Sequence, residues 1–290
     1  PLEKLPSAKR HPRAALVAVE SGGEVSLDEL TDVLAGPVLA HDFWIQPSSF
    51  APAVNTPVGV HFRVGDHFAG EPVARNDARL VRFFMESPDG STSDLVGRDG
   101  MDPAGLTRFG SPGLYTLAYH GRSSTVNLEA TAFEAYLKEE GLERVSEQRA
   151  ARGESAKVGR ELFSRSVKSF VRAGAAPGSA GYDRVAGLPL EIVPEADPFD
   201  AEMTALPVRL LADGKPLEGA LLTALRKESP AAGRGAVIST ARTDSSGRAI
   251  LTMTPGFIMI KAVHMVRAPA GSGADWSSTW TSLTFLTTAP

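Results

Sequence analysis

The sequence contains no cysteine. A disulfide framework, a cysteine nucleophile and a thiolate metal site are therefore excluded. The chain also lacks any run of about 18 apolar residues, so no transmembrane helix is expected. A basic balance is absent as well: the formal net charge is −4 over 290 residues. That charge argues against a nucleic acid or an anionic membrane as partner.

Standard catalytic motifs are missing too. There is no Gly-x-Ser-x-Gly, no His-Glu-x-x-His, no phosphate-binding glycine loop and no EF-hand spacing. Acidic residues are frequent, but nothing fixes two of them as a glycosidase pair. The sequence therefore predicts a protein that is not an enzyme.

Glycine and proline are abundant, and the segments between them have the pattern of strands. The chain holds 28 Gly and 21 Pro. Apolar residues occupy every second position of residues 58–64, and the apolar segment 80–85 is followed by the turn residues Ser-Pro-Asp-Gly at 87–90. Short strands separated by such turns predict a mainly β protein.

We expect two β-sandwich domains of the immunoglobulin-like or transthyretin-like kind, joined by a helical insert. The predicted ranges are a leader-like segment at 1–40, an N-terminal sandwich at 41–130, the insert at 131–175 and a C-terminal sandwich at 188–290. Within the insert, apolar spacing predicts helix around residues 133–145 and a second helix over residues 154–172.

The leader-like segment ends at a candidate cleavage site. Val38 and Ala40 are the small or short residues that signal peptidase prefers, although acidic residues interrupt the apolar stretch before them. A cut after Ala40 would make His41 the first residue, and its α-amine and imidazole could together chelate Ni(II), Co(II) or Cu(II). Without the cut, His41 is an ordinary histidine at the start of a strand.

Three further residues are candidate metal ligands. His264 lies in an apolar segment, where an imidazole is costly unless its nitrogens have partners. Asp275 follows a glycine-rich loop and could bind the metal or orient an imidazole, and His120 ends a strand. The alternatives are a hydrogen-bonded core histidine at 264, a turn residue at 275 and a simple strand-end histidine at 120.

The second β region resembles the transthyretin-like or carboxypeptidase-regulatory type of sandwich. The matching segments are GKPLEGA at 214–220, TDSSGR at 243–248 and PGF at 255–257. The resemblance implies a fold and says little about chemistry, because such modules are usually accessory or binding domains.

Nearly the whole of residues 41–286 resembles a family of exported bacterial proteins of unknown function. The matching segments are HDFW at 41–44, FEAYL at 133–137, ELFSR at 161–165, KAVHM at 261–265 and DW at 275–276. Members open their mature chain with His-(Asp/Glu)-Phe-Trp and have been labelled nickel-uptake (NikM-like) or periplasmic cobalt-transport components. The resemblance implies metal handling and a periplasmic or secreted location in bacteria.

The leading prediction is a periplasmic, non-enzymatic, metal-associated binding protein that delivers nickel, cobalt or copper to a membrane transporter or envelope protein. Its metal would be held by His41 and His264, with Asp275 and His120 in support. The alternative is an exported protein that binds a glycan or an envelope protein without metal. A third hypothesis, a copper oxidase with an N-terminal histidine, requires a second histidine beside His41.

Overall fold

The computed structural model describes residues 41–175 and 180–287. Before the helices the strands are β1 (Asp42–Pro47), β2 (Pro57–Asp66), β3 (Ala69–Val73), β4 (Leu80–Glu86), β5 (Thr92–Asp94), β6 (Gly105–Arg108), β7 (Gly113–Gly121) and β8 (Ser124–Leu128). The helices are α1 (Ala130–Glu139) and α2 (Glu143–Ala151). After them come β9 (Gly159–Ala173), β10 (Leu190–Pro194), β11 (Ala205–Ala212), β12 (Lys215–Pro216), β13 (Leu221–Lys227), β14 (Ala236–Arg242), β15 (Arg248–Thr252), β16 (Gly256–Arg267) and β17 (Trp276–Thr287).

These elements confirm a mainly β fold. A nine-stranded sheet, here called the central sheet, has the order β14-β13-β16-β17-β9-β7-β4-β5, and β8 pairs with β9 as its ninth strand. The β17–β9 pair is parallel and the other pairs are antiparallel. The central sheet thus contains strands from both predicted β regions.

Two four-stranded sheets cover the central sheet on opposite faces. The N-terminal sheet consists of β1, β2, β3 and β6, and the C-terminal sheet of β10, β11, β12 and β15. On β9, Val167 and Val171 pack against the N-terminal sheet, whereas Phe170 packs against the C-terminal sheet. Because successive strand residues point to opposite faces, one strand supplies both cores.

The prediction of a helix over residues 154–172 is wrong, because this segment contains strand β9. That strand lies inside the central sheet and pairs with β7, β8 and β17. A strand covered on both faces is apolar on both sides, so its apolar positions can imitate helical spacing. Lys168 on this strand is buried in an ion pair with Glu191 at 2.7 Å.

The helix predicted around residues 133–145 is confirmed as α1 and α2. Their buried side chains pack on the central sheet around Met265 and Trp280. Between the helices, Gly141 has φ of 68°, and a Cβ there would lie 2.7 Å from the Cβ of Leu221. The turn therefore requires glycine.

The described residues all fall within one compact unit. The predicted leader and its cleavage site lie outside the described residues, and the domain ranges stay a prediction. Neither described helix is long and apolar enough to cross a bilayer.

Candidate functional site

His41 stands immediately before β1 and is hydrogen-bonded to the end of β2. Its Nδ1 lies 2.8 Å from Oδ1 of Asp66, because the antiparallel register places Asp42 opposite Gly65. Arg165 donates to the carbonyl oxygen of His41 at 3.4 Å. Asp66 was not among the predicted ligands. It is the last residue of β2, and its carboxylate is the hydrogen-bond partner of the His41 ring.

His264 lies on β16, on the face that the C-terminal sheet covers. Ile260 and Ala262 precede it at alternate positions of the same strand and belong to that core. Burial lowers the pKa of His264, and the negative charge of Asp213 opposes this effect. The environment therefore favours the neutral form of this histidine.

The structure does not bring His41 and His264 together. Asp42, the neighbour of His41, forms an ion pair of 2.7 Å with Lys261, and the carbonyl oxygen of Phe43 accepts from Ser282. Strand β1 thus packs on the face of the central sheet that carries Lys261. Lys261 and His264 are three residues apart in a regular strand, so their side chains point to opposite faces.

His120 and Asp275 do not complete a site with either histidine. His120 shares a sheet face with His264, but β9 and β17 lie between their strands. Three strand spacings of about 4.8 Å put their backbones roughly 14 Å apart. Asp275 is held by Arg160 through two hydrogen bonds of 2.7 and 2.9 Å, which lower the pKa of its carboxyl group.

The predicted four-residue metal set therefore does not fit the fold. In residues 41–175 and 180–287, no group of three or more histidine, aspartate or glutamate side chains is placed to hold a metal ion. Metal ligands must lie within roughly 2 Å of the ion, so side chains on opposite faces of a sheet cannot share one. Among the predicted ligands in the described residues, His41 is the histidine whose ring is hydrogen-bonded to a carboxylate, that of Asp66.

A buried charged cluster next to His41 was missed from the sequence. Lys261 lies 2.7 Å from Asp42 and 2.8 Å from Glu140, and all three side chains are nearly inaccessible to solvent. Burial raises the pKa of Glu140 to about 7, while Lys261 opposes that rise. The signal that could have revealed the cluster is a lysine in the middle of the apolar run 257–265.

A large cavity runs along an open edge of β16. Strand β13 pairs with β16 only as far as Ala262, and beyond it the described residues pair 263–267 with β17 alone. These five consecutive residues all line a cavity of about 660 Å³. Because alternate residues point to opposite faces, a cavity that touches all five must lie along the strand edge.

Helix α2 forms one wall of this cavity, and the segment 217–220 forms the other. Leu142, Val145 and Leu217 provide apolar surface, and Arg144 and Glu218 add charge at the rim. We call this cavity the β16 groove. Within residues 41–175 and 180–287 no strand other than β17 pairs with β16 beyond Ala262, so the backbone groups of this edge can accept the backbone of another chain.

Comparison with known proteins places the chain in a family. A family model described as "Domain of unknown function (DUF4198)" matches residues 38–266. No curated protein matches. Dimeric latent PorU from Porphyromonas gingivalis, a solved structure, is similar at 12% identity over 85% of this chain and 20% of that chain, with a TM-score of 0.20. The chain thus spans a fifth of that structure, and a TM-score this low carries no argument. Because the family model matches residues 38–266, which are most of the chain, this chain belongs to the DUF4198 family, a domain of unknown function.

Proposed function

We propose that this chain is an exported, non-enzymatic binding protein of the bacterial envelope, and that it takes an extended segment of a partner protein along the β16 groove. The observation that carries the proposal is the open edge of residues 263–267, which faces a cavity between α2 and the segment 217–220. The proposal also includes a periplasmic or secreted location for the chain and a transthyretin-like fold for its C-terminal region.

The groove fits an extended chain better than a compact ligand. A strand of five residues is roughly 17 Å long, and a segment paired to it gains main-chain hydrogen bonds irrespective of its sequence. Val266 is 48% exposed beside this edge, so it offers apolar contact that the fold itself does not use. Specificity would come from the rim charges Arg144 and Glu218.

A displayed library of random peptides tests the groove. We expect selected peptides to slow amide hydrogen exchange within residues 263–267. Val266→Asp should weaken their binding at least about tenfold, because it places a charge beside the paired backbone. Ile250→Asp is the matched control, since Ile250 is 67% exposed on β15, outside the groove. Peptides that bind Val266→Asp as well as the parent chain would refute the proposal.

Metal carriage is a second candidate, and the His41–Asp66 pair favours it. Nδ1 of His41 and Oδ1 of Asp66 are hydrogen-bonded at 2.8 Å, so a small rotation of either side chain would let both atoms bind one ion. A chain that begins at His41 would add its α-amine as a third donor. The nickel- or cobalt-uptake role that the NikM-like label implies would then rest on His41 and Asp66. A copper oxidase would need a second histidine beside His41. His264 lies on the opposite face of the central sheet, so it does not support that hypothesis.

Titration with Cu(II), Ni(II) and Co(II) tests this candidate. A chain that begins at His41 should bind at least one of these ions, and a chain that keeps Ala40 should bind it at least about tenfold more weakly, because the amine becomes an amide. We expect His41→Ala and Asp66→Asn to lose binding and His264→Ala to keep it. Equal affinity in the chain that keeps Ala40 would contradict this assignment.

A further inference from the structure

A second cavity, of about 490 Å³, lies between the N-terminal sheet and the end of β13. The β1–β2 register places Trp44 opposite Arg63 and Gln46 opposite His61. These four side chains point away from the core that Ile45 and its neighbours fill, and they form one wall of the cavity. Lys227 at the end of β13 and the loop 230–233 form the other wall.

We call this cavity the basic pocket, because two cationic side chains and no carboxylate line it. Its lining includes Arg63 and Lys227 but neither aspartate nor glutamate. Within the described residues, no carboxylate lies within 4 Å of either cation, and Nε of Arg63 is buried without a hydrogen-bond partner. Asp102 does not line the cavity, but it is hydrogen-bonded to Nδ1 of the lining residue His61 at 2.7 Å.

Lys227 is held in place by the fold and so cannot turn away from Arg63. Its Nζ donates to the carbonyl oxygen of Ala232 at 3.2 Å and lies 4.9 Å from the centre of the Phe68 ring. Burial lowers the pKa of Lys227, and the positive charge of Arg63 lowers it further. Two like charges are therefore fixed against the same cavity without a neutralising side chain.

Neutral donors complete the wall. Trp44 Nε1 donates to Oε1 of Gln46 at 3.3 Å, which leaves the amide nitrogen of Gln46 to donate elsewhere. Ser48 also lines the cavity, and its hydroxyl oxygen accepts from the amide of Gly59, so its proton is available. Cations together with neutral donors are the groups that bind oxyanions.

We infer that the basic pocket binds a small organic anion that carries a carboxylate, phosphate or sulfate group. The anion would pair with Arg63 and Lys227 and relieve their repulsion. The volume lies in the usual range of ligand cavities and exceeds what an inorganic ion fills, so there is room for the organic part beside the loop 230–233. This site is separate from the β16 groove and does not depend on it.

Calorimetric titration of the full chain with citrate, inorganic phosphate and sulfate at constant ionic strength tests the inference. We expect saturable binding of at least one anion, and the preferred one identifies the headgroup. Arg63→Gln should weaken that binding at least about tenfold, because a charge-assisted hydrogen bond is lost. Arg63→Lys, which keeps the charge, should lie between Arg63→Gln and the parent chain.

Lys215→Gln provides the control, because it removes the same charge from an exposed position on β12. It should bind the anion as the parent chain does. The inference is overturned if none of the three anions binds saturably. It is also overturned if Arg63→Gln and Lys215→Gln weaken binding equally, since that result would indicate a general charge effect.

Discussion

The cluster of Lys261, Asp42 and Glu140 predicts an unusual dependence of stability on pH. One lysine faces two buried carboxylates, so the cluster has one negative charge in excess when both are ionised. Burial raises the pKa of Glu140 from 4.5 to about 7, against the opposing effect of Lys261. We therefore expect Glu140→Gln to remove the excess charge and to leave a neutral Asp42–Lys261 pair.

The sign and size of the effect follow from this shift. Between pH 4.5 and 7 the unfolded chain ionises Glu140 while the folded chain keeps it protonated. The free energy of unfolding therefore falls as pH rises, and the loss is complete above the folded pKa. A shift from 4.5 to about 7 corresponds to about 3 kcal/mol. Burial also raises the pKa of Asp42, and that contribution remains in both proteins.

Urea unfolding at pH 5 and pH 8 measures this difference. The parent chain should lose about 2.5 kcal/mol more than Glu140→Gln between the two pH values, because part of the loss occurs below pH 5. The control is Glu147→Gln, because Glu147 is an exposed glutamate on α2, outside the cluster. This variant should show the same pH dependence of the free energy of unfolding as the parent chain. If Glu140→Gln and the parent chain show the same pH dependence, the buried excess charge does not govern this part of the stability.

Three other substitutions test the buried polar groups. Lys168→Met leaves Glu191 buried without its cation, so urea unfolding should show a loss of about 3–5 kcal/mol. Tyr136→Phe removes the hydrogen bond of 3.1 Å to Glu161, and the same assay should show a loss of about 1–3 kcal/mol. Asp275→Asn breaks an ion pair whose arginine is mostly exposed, so it should change stability by less than about 1 kcal/mol. Equal losses of stability in all three variants would contradict the expectation that buried polar groups contribute more than exposed ones.

The strands that face solvent on one side were predictable from the sequence. Residues 58–64 alternate because one face of β2 packs in the core while the other forms the wall of the basic pocket. The turn at residues 243–248 also depends on nearby residues alone: Asp244 accepts from the amides of Ser246 and Arg248, and Gly247 has φ of 73°. Local chemistry decides such features, so the local sequence reveals them.

The ligand set could not be predicted in the same way. It depends on which face of the central sheet each candidate side chain points to, and on which strand covers that face. Alternation along β16 correctly separates Lys261 from His264. It does not tell which face β1 covers, and the ion pair with Asp42 shows that β1 lies over Lys261. The sequence therefore did not reveal that His264 lies on the other face from His41, or that Asp66 lies beside His41. Asp66 follows from the register of β1 with β2, which is a property of the fold.

The position of β17 has a consequence for synthesis of the chain on the ribosome. This strand sits between β16 and β9 and is made after both of them. A nascent chain that has not yet reached Trp276 consequently holds two sheet fragments whose facing edges are both open. Such edges invite pairing with other chains. We therefore expect translation pauses before this strand to increase aggregation, and chaperone contact to be greatest just before it emerges.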